Sequence, residues 1–242
     1  FYFYPLASIL QVSFARAGDD LIAPFAALAS PSILRVIGFT FYQAILSTLA
    51  TLALGLPGAY LFARYRFPGQ NLLRALTAVP FVLPALVVAA AFNALLGPRG
   101  WINLGLNALG LAPIQFLHTL GAILLAHVFY NTTIVLRLVG DFWSRLDPRL
   151  SAAARVLGAS RWRAWREVTL PLLAPALAAA ALLVFLFDFT SFGVILILGG
   201  PRFATLEVEI YRQVVSFLDL PLAAILSLVQ LLCTLGLTAV YA

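Results

Sequence analysis

Long apolar runs separated by short polar segments dominate the sequence. Several runs approach or exceed the roughly 20 residues that a helix needs to cross a bilayer, and they contain almost no charged residues. The pattern predicts an all-α, polytopic transmembrane helical bundle of about six spans. Residues 1–14 are too short to cross alone, and we interpret them as a truncated first span, with a signal peptide as the alternative. The other spans are predicted at residues 33–63, 76–96, 117–139, 172–198 and 220–242.

Two predicted features depart from a simple alternation of spans and loops. The span at 76–96 contains Pro80 and Pro84, which lie four residues apart on one helical face and predict a kink. The mixed segment at 199–219 is long enough for a short amphipathic helix between two spans. The remaining connecting segments are at 15–31, 64–74, 97–116 and 140–169.

The composition excludes an ordinary soluble enzyme. Hydrophobic residues make up 63% of the 242 residues and charged residues only 10%, whereas a soluble domain has about 25% charged residues. The net charge of +6 could suggest nucleic acid. However, ten arginines and three acids fall in or beside one set of alternate loops, and five arginines and five acids in the other. The positive-inside rule explains this bias, so we expect the bilayer and no nucleic acid as a partner, with residues 140–169 in the cytoplasm.

The segment at 141–171 predicts two short helices joined by a glycine. Asp147 followed by Pro148 is a helix-start signal, because the carboxylate caps the first turn and proline has no N–H to leave unpaired. Gly158 ends or bends this first helix, and Ser160 can cap a second one. Leu170-Pro171 is then predicted to turn the chain back into the membrane.

The second of these helices carries aromatic and charged side chains at helical spacing. Trp162 and Trp165 share a face, and Arg163 and Glu167 are four residues apart and can pair. Tryptophan and arginine are enriched in membrane-surface helices and also in the anchors of protein interfaces. The segment is therefore either an interfacial amphipathic helix or a docking element for a soluble partner.

The same segment resembles the EAA loop of bacterial binding-protein-dependent ABC transporter permeases. That motif reads Glu-Ala-Ala, three residues, Gly, nine residues, Ile, any residue, Leu-Pro. The matching positions in this chain are Ala153, Ala154, Gly158, Leu170 and Pro171. Ala152 stands in place of the motif glutamate, and Val168 in place of the isoleucine. The chain looks most like the N-terminal half of fused thiamine and ferric-iron permeases, in stretches such as FARYRFPG and GAILLAHVFYNT.

The resemblance implies a type I importer permease (MetI-like) fold in the bacterial inner membrane. It implies that residues 1–242 form a single permease domain, one half of a two-half permease whose second half is fused or separate. The other implied partners are a cytoplasmic ATPase dimer, which would hold ATP and Mg²⁺, and an extracytoplasmic binding protein. In the family the EAA loop couples the ATPase to the spans. The residues implied for coupling here are Ala153, Ala154, Arg155, Gly158, Trp162, Arg163, Leu170 and Pro171.

Asp188 is an acidic residue predicted to lie inside a span. A charge at this depth is costly, and such residues usually face a cavity or a partner. Asp188 is therefore either a pathway residue for a cationic solute, of the thiamine or ferric-iron type, or a structural carboxyl. Thr190, Ser191 and Asn131 are further candidates for the pathway. His127 shares a face with Asn131, and we interpret it as a polar contact between helices; no spacing supports a metal site.

The sequence also limits the catalytic alternatives. It contains no lysine, so it lacks the Gly-Lys-Ser/Thr phosphate loop, and ATP hydrolysis is expected on a separate subunit. No paired intramembrane acids, His-Glu-x-x-His motif or Ser/His/Asp cluster indicates an enzyme, and no cofactor is expected on this chain. The predicted function is the permease subunit of an ATP-driven importer of a small solute. An ion-coupled secondary transporter is the alternative.

Overall fold

The computed structural model describes Gln11 and residues 23–241. In this part of the chain every regular element is helical, which confirms the predicted all-α class. The helices are α1 (Ala23–Leu28), α2 (Pro31–Arg64), α3 (Gln70–Val82), α4 (Ala85–Leu96), α5 (Trp101–Ala108), α6 (Leu120–Arg145), α7 (Pro148–Val156), α8 (Arg161–Phe189), α9 (Leu206–Arg212) and α10 (Leu220–Tyr241). Two π-helical turns, Ile195–Gly199 and Gln213–Phe217, and a 3₁₀ turn, Gly200–Arg202, lie between them.

Five helical segments of the described chain are long and apolar enough to cross a membrane. Four of them correspond to predicted spans that begin at residues 33, 117, 172 and 220, with shifted ends, and the fifth overlaps the span predicted at 76–96 only in part. The truncated span predicted at residues 1–14 lies outside the described residues, apart from Gln11. The five segments are Pro31–Arg64, Ala85–Ala108, Leu120–Arg145, Arg161–Phe189 and Leu220–Ala239.

The predicted span at 76–96 is broken, so the prediction of one kinked helix is wrong. Between α3 and α4 the backbone of Leu83 is extended, with φ −72° and ψ 140°. The cause is Pro84, because a proline drives the residue before it out of the helical region. Pro80, in contrast, is accommodated inside α3. The apolar segment that is long enough to span is Ala85–Ala108 instead.

The segment at 97–116, predicted as a loop between two spans, contains a helix, α5, in its middle. The buried side chain of Asn103 organises this segment. Its amide nitrogen donates to the carbonyl oxygens of Gly97 (2.8 Å) and Ile114 (3.0 Å), and its oxygen accepts from the Ile114 N–H (2.7 Å). One asparagine thus joins both ends of the connection, a role that its position in a polar stretch did not reveal.

The predicted span at 172–198 ends earlier, because α8 stops at Phe189. The carbonyl of Ser191, two residues later, accepts a hydrogen bond from the Thr205 hydroxyl (3.3 Å). A side chain distant in sequence thus uses the Ser191 carbonyl at a point where the backbone is no longer helical. The short helix predicted in 199–219 is present as α9.

The described residues divide into two compact units, and α2, α6 and α8 contribute residues to both. The first unit contains the described residues up to Leu46, Ala85–Ala126, and the described residues from Asp188 onward. Its apolar interior has two clusters. One contains Ala89, Ala122 and Leu198, and the other contains Ile123, Ile195 and Val208.

The second unit contains Ser47–Pro84 and His127–Phe187. In its core α2 packs closely on α6 through small residues. A Cβ built on Gly55 would lie 2.8 Å from the Cβ of Val135, too close for any real pair of atoms. Small residues at such positions let membrane helices approach one another. Trp143 near the end of α6 and Leu173 in α8 belong to the same core.

Candidate functional site

Residues 146–171 follow the end of α6 and include the first turns of α8. They form a bent helical segment, which we call the elbow. The segment predicted at 141–171 is shorter at its start, because residues 141–145 continue α6. Helix α7 begins as predicted, with the Asp147 carboxylate accepting a hydrogen bond from the Arg149 backbone N–H (2.9 Å) and Pro148 at the first helical position. This cap satisfies a donor that the helix itself leaves unpaired.

Gly158 gives the elbow its bend. Its φ is +92°, a left-handed conformation that favours glycine. The N–H of Gly158 donates to the Arg155 carbonyl (3.1 Å), and the N–H of Ala159 donates to the Ala154 carbonyl (3.0 Å). These two bonds are those of a Schellman motif, the commonest way to end a helix on glycine. The glycine of the EAA-like motif is thus a conformational requirement of this chain.

The second part of the elbow is continuous with a span, so the prediction that the chain turns at Leu170-Pro171 is wrong. The Ser160 hydroxyl caps α8 as predicted, accepting from the Arg163 N–H at 3.2 Å. Helix α8 then passes through a π-helical turn at Trp165–Thr169 and continues past the proline. In a regular helix the proline ring would clash with the carbonyl four residues earlier, and we attribute its tolerance to the wider turn before it.

Helix α7 has no buried residue. Val156 and Leu157, which precede the glycine, are each 87% exposed, and Trp162 is 65% exposed. Adjacent exposed apolar side chains mark an interaction surface when they form a patch. Of the other predicted coupling residues, the exposed ones are Ala153, Arg155, Gly158, Arg163 and Pro171, and the half-buried ones are Ala154 and Leu170.

Side chains on α8 stiffen the elbow locally. The rings of Trp162 and Trp165 stack with centroids 4.9 Å apart and planes 19° from parallel. The Arg163 Nε lies 2.9 Å from the Glu167 Oε2, so the predicted pair forms. Both partners are exposed and screened by water, so this pair orients the side chains more than it stabilises the fold.

The start of the elbow is tied to the core of the second unit. Arg64, the last residue of α2, donates from its guanidinium to the Leu146 carbonyl at 3.3 Å. The Tyr60 and Trp143 rings have centroids 5.2 Å apart, and Trp143 is buried. Leu173, just beyond the elbow, is buried in the same core. The exposed bend is therefore held between two anchored ends.

Asp188 lies in the first unit, in a buried polar cluster that the sequence did not predict. Asp188 is 1% exposed, and its backbone carbonyl accepts a hydrogen bond from the Gln43 side chain at 2.7 Å. The hydroxyl of Thr40, also buried, accepts from the Leu206 N–H at 3.0 Å. The cluster thus joins α2, the end of α8 and the start of α9. These partners are far apart in sequence, so no local pattern could have indicated them.

The remaining candidate pathway residues belong to different units. Thr190 and Ser191 are half-buried just after Asp188, whereas Asn131 is buried and belongs to the second unit. His127, in the same unit as Asn131, lies 3.0 Å from the Ser47 hydroxyl through its Nδ1, which agrees with a polar contact between helices. Within the described residues, no group of three or more His, Cys, Asp or Glu side chains could hold a metal ion.

Glu207 on α9 is a second partly buried acid that the sequence did not single out. The Gln230 side-chain amide on α10 donates to one of its carboxylate oxygens. Burial raises the pKa of the Glu207 carboxyl above its ordinary value, and this hydrogen bond partly offsets the rise. The contact between α9 and α10 is therefore sensitive to the protonation state of Glu207.

Comparison with known protein families identifies the class of the chain. The model of the family described as "Binding-protein-dependent transport system inner membrane component" matches residues 52–242. The chain belongs to this family of ABC transporter permeases. The all-helical fold and the five apolar helices of the described residues agree with this assignment, which confirms the resemblance found in the sequence.

Several relatives are similar over most of the chain. Thiamine transport system permease protein ThiP of Escherichia coli strain K12 is 33% identical over 233 residues, which are 96% of this chain and 43% of that protein. ThiP of Brucella abortus strain 2308 is 36% identical over 204 residues, covering 83% of this chain and 37% of its own length. This chain therefore spans less than half the length of these thiamine permeases.

Two further comparisons bear on length and fold. The putative 2-aminoethylphosphonate transport system permease protein PhnU of Salmonella typhi is 26% identical over 247 residues, covering 99% of this chain and 85% of that protein. Among solved structures, a chain of a bacterial ABC transporter involved in alginate import superposes with a TM-score of 0.79 at 20% identity. The match covers 100% of this chain and 89% of the other. At this identity the likeness shows the fold alone.

Proposed function

We propose that this chain is the permease subunit of an ATP-driven importer, and that its elbow docks a cytoplasmic ATPase dimer. The observation that carries the proposal is the exposure of Val156 and Leu157 beside the fixed turn at Gly158. Exposed apolar residues at a bend of defined geometry suit a cleft on a protein partner. A lipid surface would require no such fixed geometry.

Coupling would use the continuity of the elbow with α8. A displacement applied to Trp162 acts on the same helix that contains Leu173 in the core of the second unit. Movement of the ATPase can then alter the packing of the spans without an intervening loop. The 242 residues contain no lysine, so ATP and Mg²⁺ would be held by the partner subunit.

The solute we propose is a small cation of the thiamine class, delivered by an extracytoplasmic binding protein. The names of the ThiP relatives support this class and give no support to ferric iron. Asp188, buried at the end of α8, has the charge that a cationic solute requires along its pathway. A second permease half, fused or separate, would complete the pathway, since the thiamine permeases are more than twice as long as this chain.

The docking proposal is tested by replacing Val156 and Leu157 together with glutamine. Co-purification of the ATPase with the membrane complex should fall at least about tenfold, because two side chains lose their apolar contacts. Leu111→Gln is the matched control, since Leu111 is 54% exposed in a different connection. Equal ATPase recovery from the double variant and the control would refute docking through α7. Uptake driven by an ion gradient without any ATPase would refute the ATP-driven function.

The side of the membrane on which the elbow lies is tested independently. In a Cys233→Ser background, Leu157→Cys provides a single exposed thiol on the elbow. We expect an impermeant maleimide to label it in inverted membrane vesicles stripped of the ATPase, and not in intact spheroplasts. Labelling from the outer face of spheroplasts would place the elbow away from the cytoplasm and exclude its contact with a cytoplasmic ATPase.

A further inference from the structure

An arginine-lined cavity lies beside the start of α3 in the second unit. It has a volume of about 590 Å³, and Arg64, Arg66 and Arg74 line it together with the side-chain amides of Gln70 and Asn71. Among the described residues that line it there is no carboxylate. The Gln70 amide donates to the Phe62 and Tyr65 carbonyls (3.1 Å each), so the donors left in this space are those of the three arginines and of Asn71, with no acid in the described lining. This donor set suits the oxygens of a phosphate.

Two of the arginines are held in place by neutral groups. The Arg74 guanidinium donates to the Phe62 carbonyl at 3.0 Å and lies over the Phe62 ring, 5.5 Å from its centroid. Arg64 donates to the Leu146 carbonyl at 3.3 Å. These contacts fix the side chains through partners that carry no charge. Arg66 is exposed at the rim of the same space.

An apolar groove lies on the same helix, farther along the chain. It has a volume of about 330 Å³ and is lined by Leu73, Leu76 and Pro80 of α3 and by Phe129 and Thr132 of α6. A smaller cavity of about 220 Å³ shares Arg74 with the arginine cavity. It also shares Thr77 with the groove, and Arg137 and Asp141 are among the other residues that line it. A polar end and an apolar end thus follow one another along α3.

The arginine cavity and the apolar groove together form one surface, and each lies at the membrane depth that its polarity requires. Arg64 ends the apolar span α2, so the arginine cavity lies where that span leaves the hydrocarbon region. Leu72 and Val79 on α3 are 65% and 50% exposed, as expected for side chains that face lipid. Basic pockets between membrane helices on the arginine-rich side are typical sites for anionic lipid headgroups.

We propose that this surface is a binding site for an anionic phospholipid. The phosphate occupies the arginine cavity, where guanidinium groups donate paired hydrogen bonds to its oxygens, and an acyl chain occupies the groove between α3 and α6. The bound lipid joins the α2–α3 connection to α6 within the second unit. This inference requires only that the chain is embedded in a bilayer, and it is independent of the proposed ATPase docking.

The test is native mass spectrometry of the purified membrane complex, titrated with phosphatidylglycerol or with phosphatidylcholine of the same chain length. The unaltered protein should prefer phosphatidylglycerol. Arg66→Gln should weaken phosphatidylglycerol binding about fivefold, as expected for one arginine at an anionic lipid. Arg66 is exposed, so its replacement leaves the other two arginines on their carbonyl partners. Arg99→Gln is the matched control, because it removes one exposed charge from the first unit.

A groove-filling variant separates a lipid from a free phosphate. Thr132→Phe should reduce phosphatidylglycerol binding while inorganic phosphate still protects the arginine cavity from a guanidinium reagent. Equal effects of Arg66→Gln and Arg99→Gln would overturn the proposal. Full phosphatidylglycerol binding by Thr132→Phe, with competition by inorganic phosphate, would overturn it in favour of a phosphate site. A change of oligomeric mass in Thr132→Phe, with lipid binding intact, would overturn it in favour of a second permease chain in the groove.

Discussion

The glycine of the elbow offers a sharp test, because a glycine at a motif position can reflect either backbone conformation or lack of space for a side chain. Gly158 has φ +92°, and a Cβ built on it meets no atom of this chain within 4 Å. Alanine at this position would therefore be strained by its backbone conformation alone. Any effect of volume would have to come from a partner.

The two explanations rank the same variants differently. A left-handed backbone costs an L-residue roughly 1–2 kcal/mol, whereas asparagine adopts it more readily. Gly158→Ala should therefore weaken the closed turn by about 5- to 30-fold. Gly158→Asn should weaken it less, although its side chain is larger. A requirement for space would give the opposite order, with alanine better tolerated than asparagine.

Hydrogen exchange measures the turn directly, since the backbone amides of residues 158 and 159 donate its two capping bonds of 3.1 and 3.0 Å. The affinity of the same variants for the ATPase measures docking. We expect the protection of these amides from exchange and the affinity for the ATPase both to fall in the order glycine, asparagine, alanine. If exchange is unchanged and affinity falls with side-chain volume, the conformational explanation is refuted and the glycine is assigned to close contact with the partner.

Three further changes test other parts of the molecule. Gly55→Val should destabilise the second unit by about 1–3 kcal/mol, because its Cβ would lie 2.8 Å from that of Val135. Gly38→Val, in open space on the same helix, is the control for the thermal midpoint measured by scanning fluorimetry. Glu207→Gln should raise the thermal midpoint of the protein at pH 7, because ionisation of a carboxyl with a raised pKa disfavours the folded state. The increase in the midpoint should vanish as the pH falls from that raised pKa to the ordinary value of about 4.5. Asp188→Asn should slow uptake of a cationic solute into proteoliposomes without lowering ATPase recovery, and unaltered uptake kinetics would reduce Asp188 to a structural role.

The elbow could be predicted in detail because its interactions are local. The Asp147 cap, the turn at Gly158, the Ser160 cap and the Arg163–Glu167 pair each involve residues at most five positions apart. Side-chain chemistry and helical spacing are then sufficient. The spans could be predicted for a related reason, since a bilayer imposes a minimum apolar length on each helix.

The errors arose where tertiary contacts decide between local alternatives. Pro84 breaks a helix while Pro171 is accommodated, although both stand in apolar surroundings. Pro80 is also accommodated, inside a regular helix, so the presence of a proline in an apolar run does not by itself predict where the helix ends. The buried hydrogen bond from Gln43 to the Asp188 carbonyl joins residues 145 positions apart. Such a contact has no signature in the spacing of residues along the chain.

The error at Pro171 has a mechanical consequence for the proposed function. Had the chain turned there, a force applied to Trp162 would meet a loop, and rotation about its backbone bonds would absorb most of the displacement. Because α8 instead runs from the elbow into the core, the same force acts on Leu173 and the side chains packed against it. The π-helical turn at Trp165–Thr169 is then the point at which α8 can bend under this force. Its stiffness, more than the strength of docking, would set how much of the motion of an ATPase reaches the spans.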